Sequence, residues 1–193
     1  PTLIDLSNQL NDYLQISLFQ DFCPNGIQVE GKREVKRIAT AVTASLKVIQ
    51  KAAESGFDML IVHHGLFWQK DSYVIERAKR EKLEILLKEG ISLLAYHLPL
   101  DAHRQIGNNW KAALDLGWQN LEPFYAVNKQ WIGVKGRFDQ TSRENFQKQL
   151  GKYYGQKAVF APGGKERIET CALISGGAYR QIEEASLQNL DCF

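Results

Sequence analysis

Cysteine is scarce in this chain. Only Cys23, Cys171 and Cys192 occur, far apart, odd in number and with no Cys-x-x-Cys spacing. This argues against a disulfide framework or a structural zinc knuckle, and it fits a reducing, cytoplasmic setting. Long apolar runs are missing as well, and none approaches the ~20 residues that span a bilayer. The first residues, Pro1-Thr2-Leu3-Ile4-Asp5, lack the basic and apolar regions of a signal peptide. Neither sign of charge dominates. With 24 basic against 22 acidic residues the net charge is +2. There is thus no electrostatic case for a dedicated nucleic-acid or membrane-surface protein. Lys79, Arg80 and Lys82 form a local basic run, best read as a solvated helix face. No repeat or low-complexity tract occurs. The 193 residues, 44% apolar and 24% charged, suffice for one good core, or a core with a smaller appendage.

What is present is an alternation of helix and strand patterns. Leu3, Leu6, Leu10 and Leu14 follow helical spacing over 2–14, with Thr2 and Asp5 as a weak capping box. Cys23-Pro24-Asn25-Gly26 is a turn signal. A strand is predicted over 35–42 and a helix over 45–55, capped by Ser45 and ended at Gly56. Phe57–Val62 reads as a buried strand, 74–89 as a charged helix, Ile91–Tyr96 as a second buried strand, and 108–116 as a helix. Such alternation predicts an α/β fold, a mostly parallel sheet covered by helices. Beyond Pro123 the pattern changes. Strand signals over 131–138 and 157–160 flank a helix over 142–150, so 123–168 is expected to be a small α+β insertion after a lobe over 1–122. Thr170–Ser175 is again a buried strand, followed by a helix over about 179–189. Leu190–Phe193 opens a further apolar run, read as an interrupted strand, and the sequence is expected to be part of a longer protein.

All four histidines fall between positions 63 and 103. Two end the run Met59-Leu60-Ile61-Val62-His63-His64-Gly65. The others bracket an aspartate in Tyr96-His97-Leu98-Pro99-Leu100-Asp101-Ala102-His103. In a parallel sheet, ligands bind beyond the carboxyl ends of the strands, where these residues would sit. Imidazoles and a carboxylate there are the donors a divalent metal needs. Buried, hydrogen-bonded histidines are the bland alternative, but a pair plus a His-Asp cluster at two successive strand ends has no simple packing rationale. Adjacent strand residues point to opposite faces, so His63 and His64 would need either a backbone turn at Gly65 or two separate ions. Asp101 could bridge two ions, and His97 or His103 could shuttle protons. Pro99 is expected to keep the segment after His97 extended.

The segments Val62-His63-His64-Gly65-Leu66-Phe67-Trp68 and Tyr96–His103, with Pro24-Asn25-Gly26-Ile27-Gln28-Val29-Glu30-Gly31 upstream, closely resemble the YbgI-type members of the Nif-three-like family, also called GTP cyclohydrolase I type 2 homologues. The resemblance runs over essentially the whole chain. It implies an α/β fold of two similar lobes, the second beginning at 169–193, often assembled as a hexameric ring around dinuclear metal sites. It makes His63, His64 and Asp101 metal ligands and His97 a near-site residue that could also touch metal; His97 is taken as the catalytic residue. It puts the remaining ligands in a C-terminal His-x-x-x-Glu segment that these 193 residues do not contain.

Two functional readings follow. One is a hydrolase using two divalent ions, with Zn, Fe, Mn or Ni compatible with the donors, on a nucleotide-like or phosphoester substrate. The other is a ring-shaped scaffold with a structural or regulatory metal. Ser175-Gly176-Gly177-Ala178 could bind phosphate but is more simply a tight strand-to-helix turn, as is Ala161-Pro162-Gly163-Gly164. Phe67 and Trp68 would wall a pocket or pack a core, and Asn25 and Gly26 could border the site.

Overall fold

The computed structural model describes residues 1–161 and 163–193. Pro162, in one of the expected turns, lies outside the described residues. The chain divides into two compact units, Pro1–Leu100 and Asp101–Phe193.

The first unit contains α1 (Leu3–Tyr13), β1 (Gly26–Val29), β2 (Ile38–Thr43), α2 (Leu46–Glu54), β3 (Met59–His64), α3 (Arg77–Glu89) and β4 (Ser92–Ala95). The four strands lie in the order β1-β4-β3-β2. β2–β3 and β3–β4 are parallel, and β1 joins β4 antiparallel. The mostly parallel, helix-covered sheet expected from the alternation is therefore present.

Period-two alternation explains why the strand sequences are apolar throughout. Leu60, Val62, Leu93 and Ala95 face one core with Ile49 of α2 and Leu86 of α3. Met59, Leu94 and Tyr96 face the other, with Leu3 and Leu14. Both faces are covered, so no polar face is needed. Each fully buried leucine here contributes about 1.5–3 kcal/mol. α2 begins where the Ser45 hydroxyl accepts from the Val48 amide, and α3 stops at Gly90 in the left-handed region. At Gly31 the chain passes against the 90–92 backbone so closely that a β-carbon would overlap the Gly90 carbonyl oxygen.

α4 (Leu98–Ala102) follows β4 directly. This corrects the extended segment expected after His97. Pro99 lies in the first turn of that helix, where its missing N–H costs nothing.

The second unit contains α5 (Asn108–Asp115), β5 (Gln119–Val127), β6 (Gln130–Ser142), α6 (Arg143–Tyr154), β7 (Arg167–Leu173) and α7 (Ile182–Leu187). Its sheet is antiparallel, β5-β6-β7. Trp110, Trp118, Val134, Phe146 and Ile168 fill one core, where Phe138 stacks on Phe146 at 4.8 Å. Phe124, Ala172 and Ala185 form a second cluster. β5 and β6 are joined through Asn128 and Lys129, at φ 48° and 69°. Two positive φ values in a two-residue loop match the twist of antiparallel strands. The strand expected at 157–160 is irregular instead, and the helix expected over 179–189 is a short tight turn followed by α7. Cys192 pairs with Cys171 in an isolated parallel bridge.

Candidate metal centre

The parallel register of β3 and β4 pairs Val62 with Ala95, and the Tyr96 amide donates to the Val62 carbonyl. The next residues on both strands are histidines or neighbours of one, so the imidazoles emerge together at the carboxyl edge. Ring centroids of His63 and His64 are 4.5 Å apart, and those of His63 and His97 5.0 Å. One coordinating atom from each of His63, His64 and His97 falls within 4.8 Å of the other two. Adjacency on β3 does not separate His63 from His64. The strand ends at His64, and Gly65 follows as the chain turns.

Gly65 makes room there for a side chain. A β-carbon would collide with the Gln28 side-chain amide, which accepts from the Leu66 amide at 2.7 Å and donates to the Pro24 carbonyl at 2.9 Å. Gln28 thus ties the turn after the histidine pair to the 24–28 segment.

The hydrogen bonds of the rings decide what they can offer a metal. His63 Nδ1 is 3.0 Å from the Tyr96 carbonyl oxygen. A carbonyl only accepts, so in the neutral ring Nδ1 carries the proton and Nε2 keeps the lone pair. His97 Nδ1 is 2.8 Å from Asp21 Oδ1, which imposes the same tautomer. A ligating histidine typically has its second nitrogen donating to a carbonyl or carboxylate in this way. His64 Nδ1 lies 3.2 Å from the Thr43 hydroxyl, which can donate or accept. The donor set therefore fits a divalent ion that favours imidazole nitrogen, as Zn, Fe and Ni do. Trp68 stands edge-on to His97 at 5.1 Å and 5.9 Å from His64, so it walls the cluster.

Asp21 is a residue that reasoning from sequence missed. Its side chain is 1% exposed. Oδ1 accepts from His97 Nδ1 and the Phe22 amide, and Oδ2 from Asn25 Nδ2 at 2.9 Å and the Leu98 amide at 2.8 Å. Burial pushes this carboxyl up, but the bonds from His97, Asn25 and Leu98 outweigh it and hold it below the usual carboxylate range. Asn25 does border the site: its Oδ1 accepts from the His97 amide at 2.8 Å.

Asp21, Cys23 and His97 also cluster closely enough to suggest a second metal group. Their chemistry argues otherwise. Asp21 is already saturated with N–H donors, and in the metal-free protein burial, then the Asp21 charge, pushes the Cys23 thiol up to about 12.

Asp101 opens the second unit and is 4% exposed. Its Oδ1 accepts from Asn108 Nδ2 at 2.8 Å and from the Ser175 hydroxyl at 2.7 Å. Asn109, fully buried, bonds the Asp101 and Ile132 carbonyls and accepts from the Ser175 amide. Ser175 is thus committed to this network, and Gly176 at φ +80° makes the turn after it. His103 is also in the second unit, where the Gln105 and Ile106 amides donate to its Nδ1.

The description Duf34/NIF3 (NGG1p interacting factor 3) matches residues 1–193. The chain belongs to the Duf34/NIF3 family. Among the family's curated members, the GTP cyclohydrolase 1 type 2 homolog of Chlamydia muridarum is 48% identical over 192 residues, covering 98% of this chain and 76% of the relative. The protein of the same name from Archaeoglobus fulgidus is 36% identical over 192 residues, covering 99% and 76%. A solved structure of protein ybgI, of unknown function, superposes with a TM-score of 0.91 at 33% identity, covering 99% of this chain and 76% of that one. Among the described residues no helix is long and apolar enough to cross a membrane.

Proposed function

We propose that the protein carrying this chain is a dinuclear metal protein and acts as a metal-dependent hydrolase on a nucleotide-like or phosphoester substrate in the cytoplasm. The observation that carries this reading is the convergence of His63, His64 and His97 at one strand edge, with Nε2 of His63 and His97 left as acceptors by the partners of Nδ1. In this reading His63, His64 and Asp101 hold the metal. His97, the catalytic residue of this reading, would present its Nε2 lone pair to the site, to an ion or to a proton. Two bound divalent ions would supply Lewis acidity and lower the pKa of water at the site. The chain's own contribution is to fix the imidazoles through Tyr96 and Asp21, and to limit solvent at the cluster with Trp68. Ring-opening of a purine is the version suggested by the relatives' name, GTP cyclohydrolase 1 type 2 homolog.

Elemental analysis of protein purified without chelator is the first test, followed by turnover assays on nucleotides, phosphoesters and cyclic amides with Zn, Fe, Mn and Ni. Metal-stimulated turnover that His63→Ala and Asp101→Ala abolish is the expected result. Absence of bound metal, or a blank screen with every ion, would overturn it. A second reading, a ring-shaped homo-oligomeric scaffold, rests on the loop residues Tyr73, Val74 and Ile75, which are apolar and 98%, 62% and 56% exposed. It requires a hexamer in solution and a partner whose binding survives loss of the metal ligands.

A further inference from the structure

We propose that Asp21 is the positioning residue of the imidazole cluster, setting both the tautomer and the orientation of His97 so that its Nε2 lone pair is available to a divalent ion. The proposal rests on the reading of His63, His64 and His97 as a metal group.

The geometry is specific. The two carboxylate oxygens are divided between two tasks. Oδ1 takes the His97 ring proton at 2.8 Å, while Oδ2 takes the amide of Leu98, the first residue of α4, at 2.8 Å. The ring and the backbone that follows it are therefore held by one rigid group. Asn25 completes the clamp by bonding both Asp21 Oδ2 and the His97 amide. The loop bearing Asp21 is itself anchored, because Gln69 Nε2 donates to the Asp21 carbonyl and the Gln69 amide to the Phe22 carbonyl, both at 2.8 Å. With Nδ1 bound, a ring flip would exchange a strong charge-assisted bond for none. A carboxylate behind a ligating imidazole also makes the ring a better donor, and loss of such a partner typically weakens metal binding about 10–100-fold.

Asp21→Asn is the informative substitution. The side chain keeps its shape, yet one oxygen becomes an NH2 facing either His97 Nδ1–H or the Leu98 and Asn25 donors. Either way a donor meets a donor. Asn25→Ala is the control, since Asn25 braces the same loop without touching the ring.

Two measurements on the full-length protein decide the matter, with thermal unfolding confirming that each variant folds. In metal-free protein, long-range 1H–15N NMR should show His97 protonated at Nδ1 in the wild type and Asn25→Ala, and a mixture of tautomers in Asp21→Asn. In Co2+ titration followed by its visible ligand-field bands, Asp21→Asn and His97→Ala should each weaken binding about 10-fold or more, and Asp21→Glu should recover part of the loss. If Asp21→Ala fails to fold, Asp21→Asn carries both readouts. A wild type that binds Co2+ while Asp21→Asn keeps the same tautomer and affinity would overturn the positioning role alone. A wild type that binds no Co2+ would overturn the metal reading, and this proposal with it.

Discussion

Replacing Asn109 by alanine should destabilise the second unit far more than its size suggests. The side chain is fully buried and makes three bonds: Nδ2 to the Ile132 carbonyl at 2.9 Å, Nδ2 to the Asp101 carbonyl at 3.3 Å, and Oδ1 from the Ser175 amide at 2.6 Å. Alanine leaves those backbone groups without this partner. Each buried orphan costs about 1–3 kcal/mol, and leaving aside the weak 3.3 Å bond, the other two give an expected loss of about 2–6 kcal/mol. For a chain of this length that corresponds to a fall in Tm of about 4–24 °C. Trp110 and Trp118 lie in the core of the same unit, so urea unfolding followed by tryptophan fluorescence reports on it directly. Asn109→Asp sharpens the test. It keeps the acceptor for Ser175 but points an oxygen at two carbonyls, and should be at least as damaging as alanine. A loss below about 0.5 kcal/mol for either variant would refute the accounting, because surface-like substitutions already fall in that range.

Three further outcomes are expected. Gly65→Ala must push Gln28 off its bonds to Leu66 and Pro24; metal affinity should fall, and the double variant Gly65→Ala/Gln28→Ala should recover part of it in a chelator-competition assay, whereas additive losses would show the two residues uncoupled. Gly31→Ala meets backbone rather than a flexible side chain, so a loss of about 1–3 kcal/mol is expected from chemical denaturation; an unchanged midpoint would contradict the close approach. Asp58 accepts from the Lys36 and Arg37 amides, which hold its carboxyl below the usual range. A depressed folded-state pKa gives stability that is present above the unfolded value of about 3.9 and disappears as pH falls through the folded value. The stability gap between wild type and Asp58→Asn should therefore be full at neutral pH and close in acid; a gap independent of pH would exclude the linkage.

Much of the first unit was legible in the sequence because its physics is local. The apolar runs ending at Val62 and Tyr96 read as strands covered on both faces, and parallel pairing carries whatever follows them to one edge. His63, His64 and His97 were found for that reason. Asp21 was not, since its contact with His97 spans 76 positions and no spacing rule connects a loop aspartate to a distant strand end. β1 was hidden by its brevity and by the turn signal before it. α4 was misread because proline usually signals a break, although the first helical turn tolerates it. β5 was obscured by Pro123, which lies within the strand and pairs with Val134.

The turn at Asn128–Lys129 has a consequence for the order in which the second unit assembles. Joining β5 to β6 closes a loop of two residues. Joining β7 to β6 closes the whole stretch between Ser142 and Arg167, which are themselves paired. Loop-closure entropy grows with that length, and local contacts form on faster timescales. The hairpin is thus the natural first structure, with β7 adding to a finished template. Ser175, which grips Asp101, follows β7, so the surroundings of that carboxylate are among the last parts of the unit to become ordered. Pulse-labelled hydrogen exchange during refolding would contradict this order if β7 amides gained protection before those of β5 and β6.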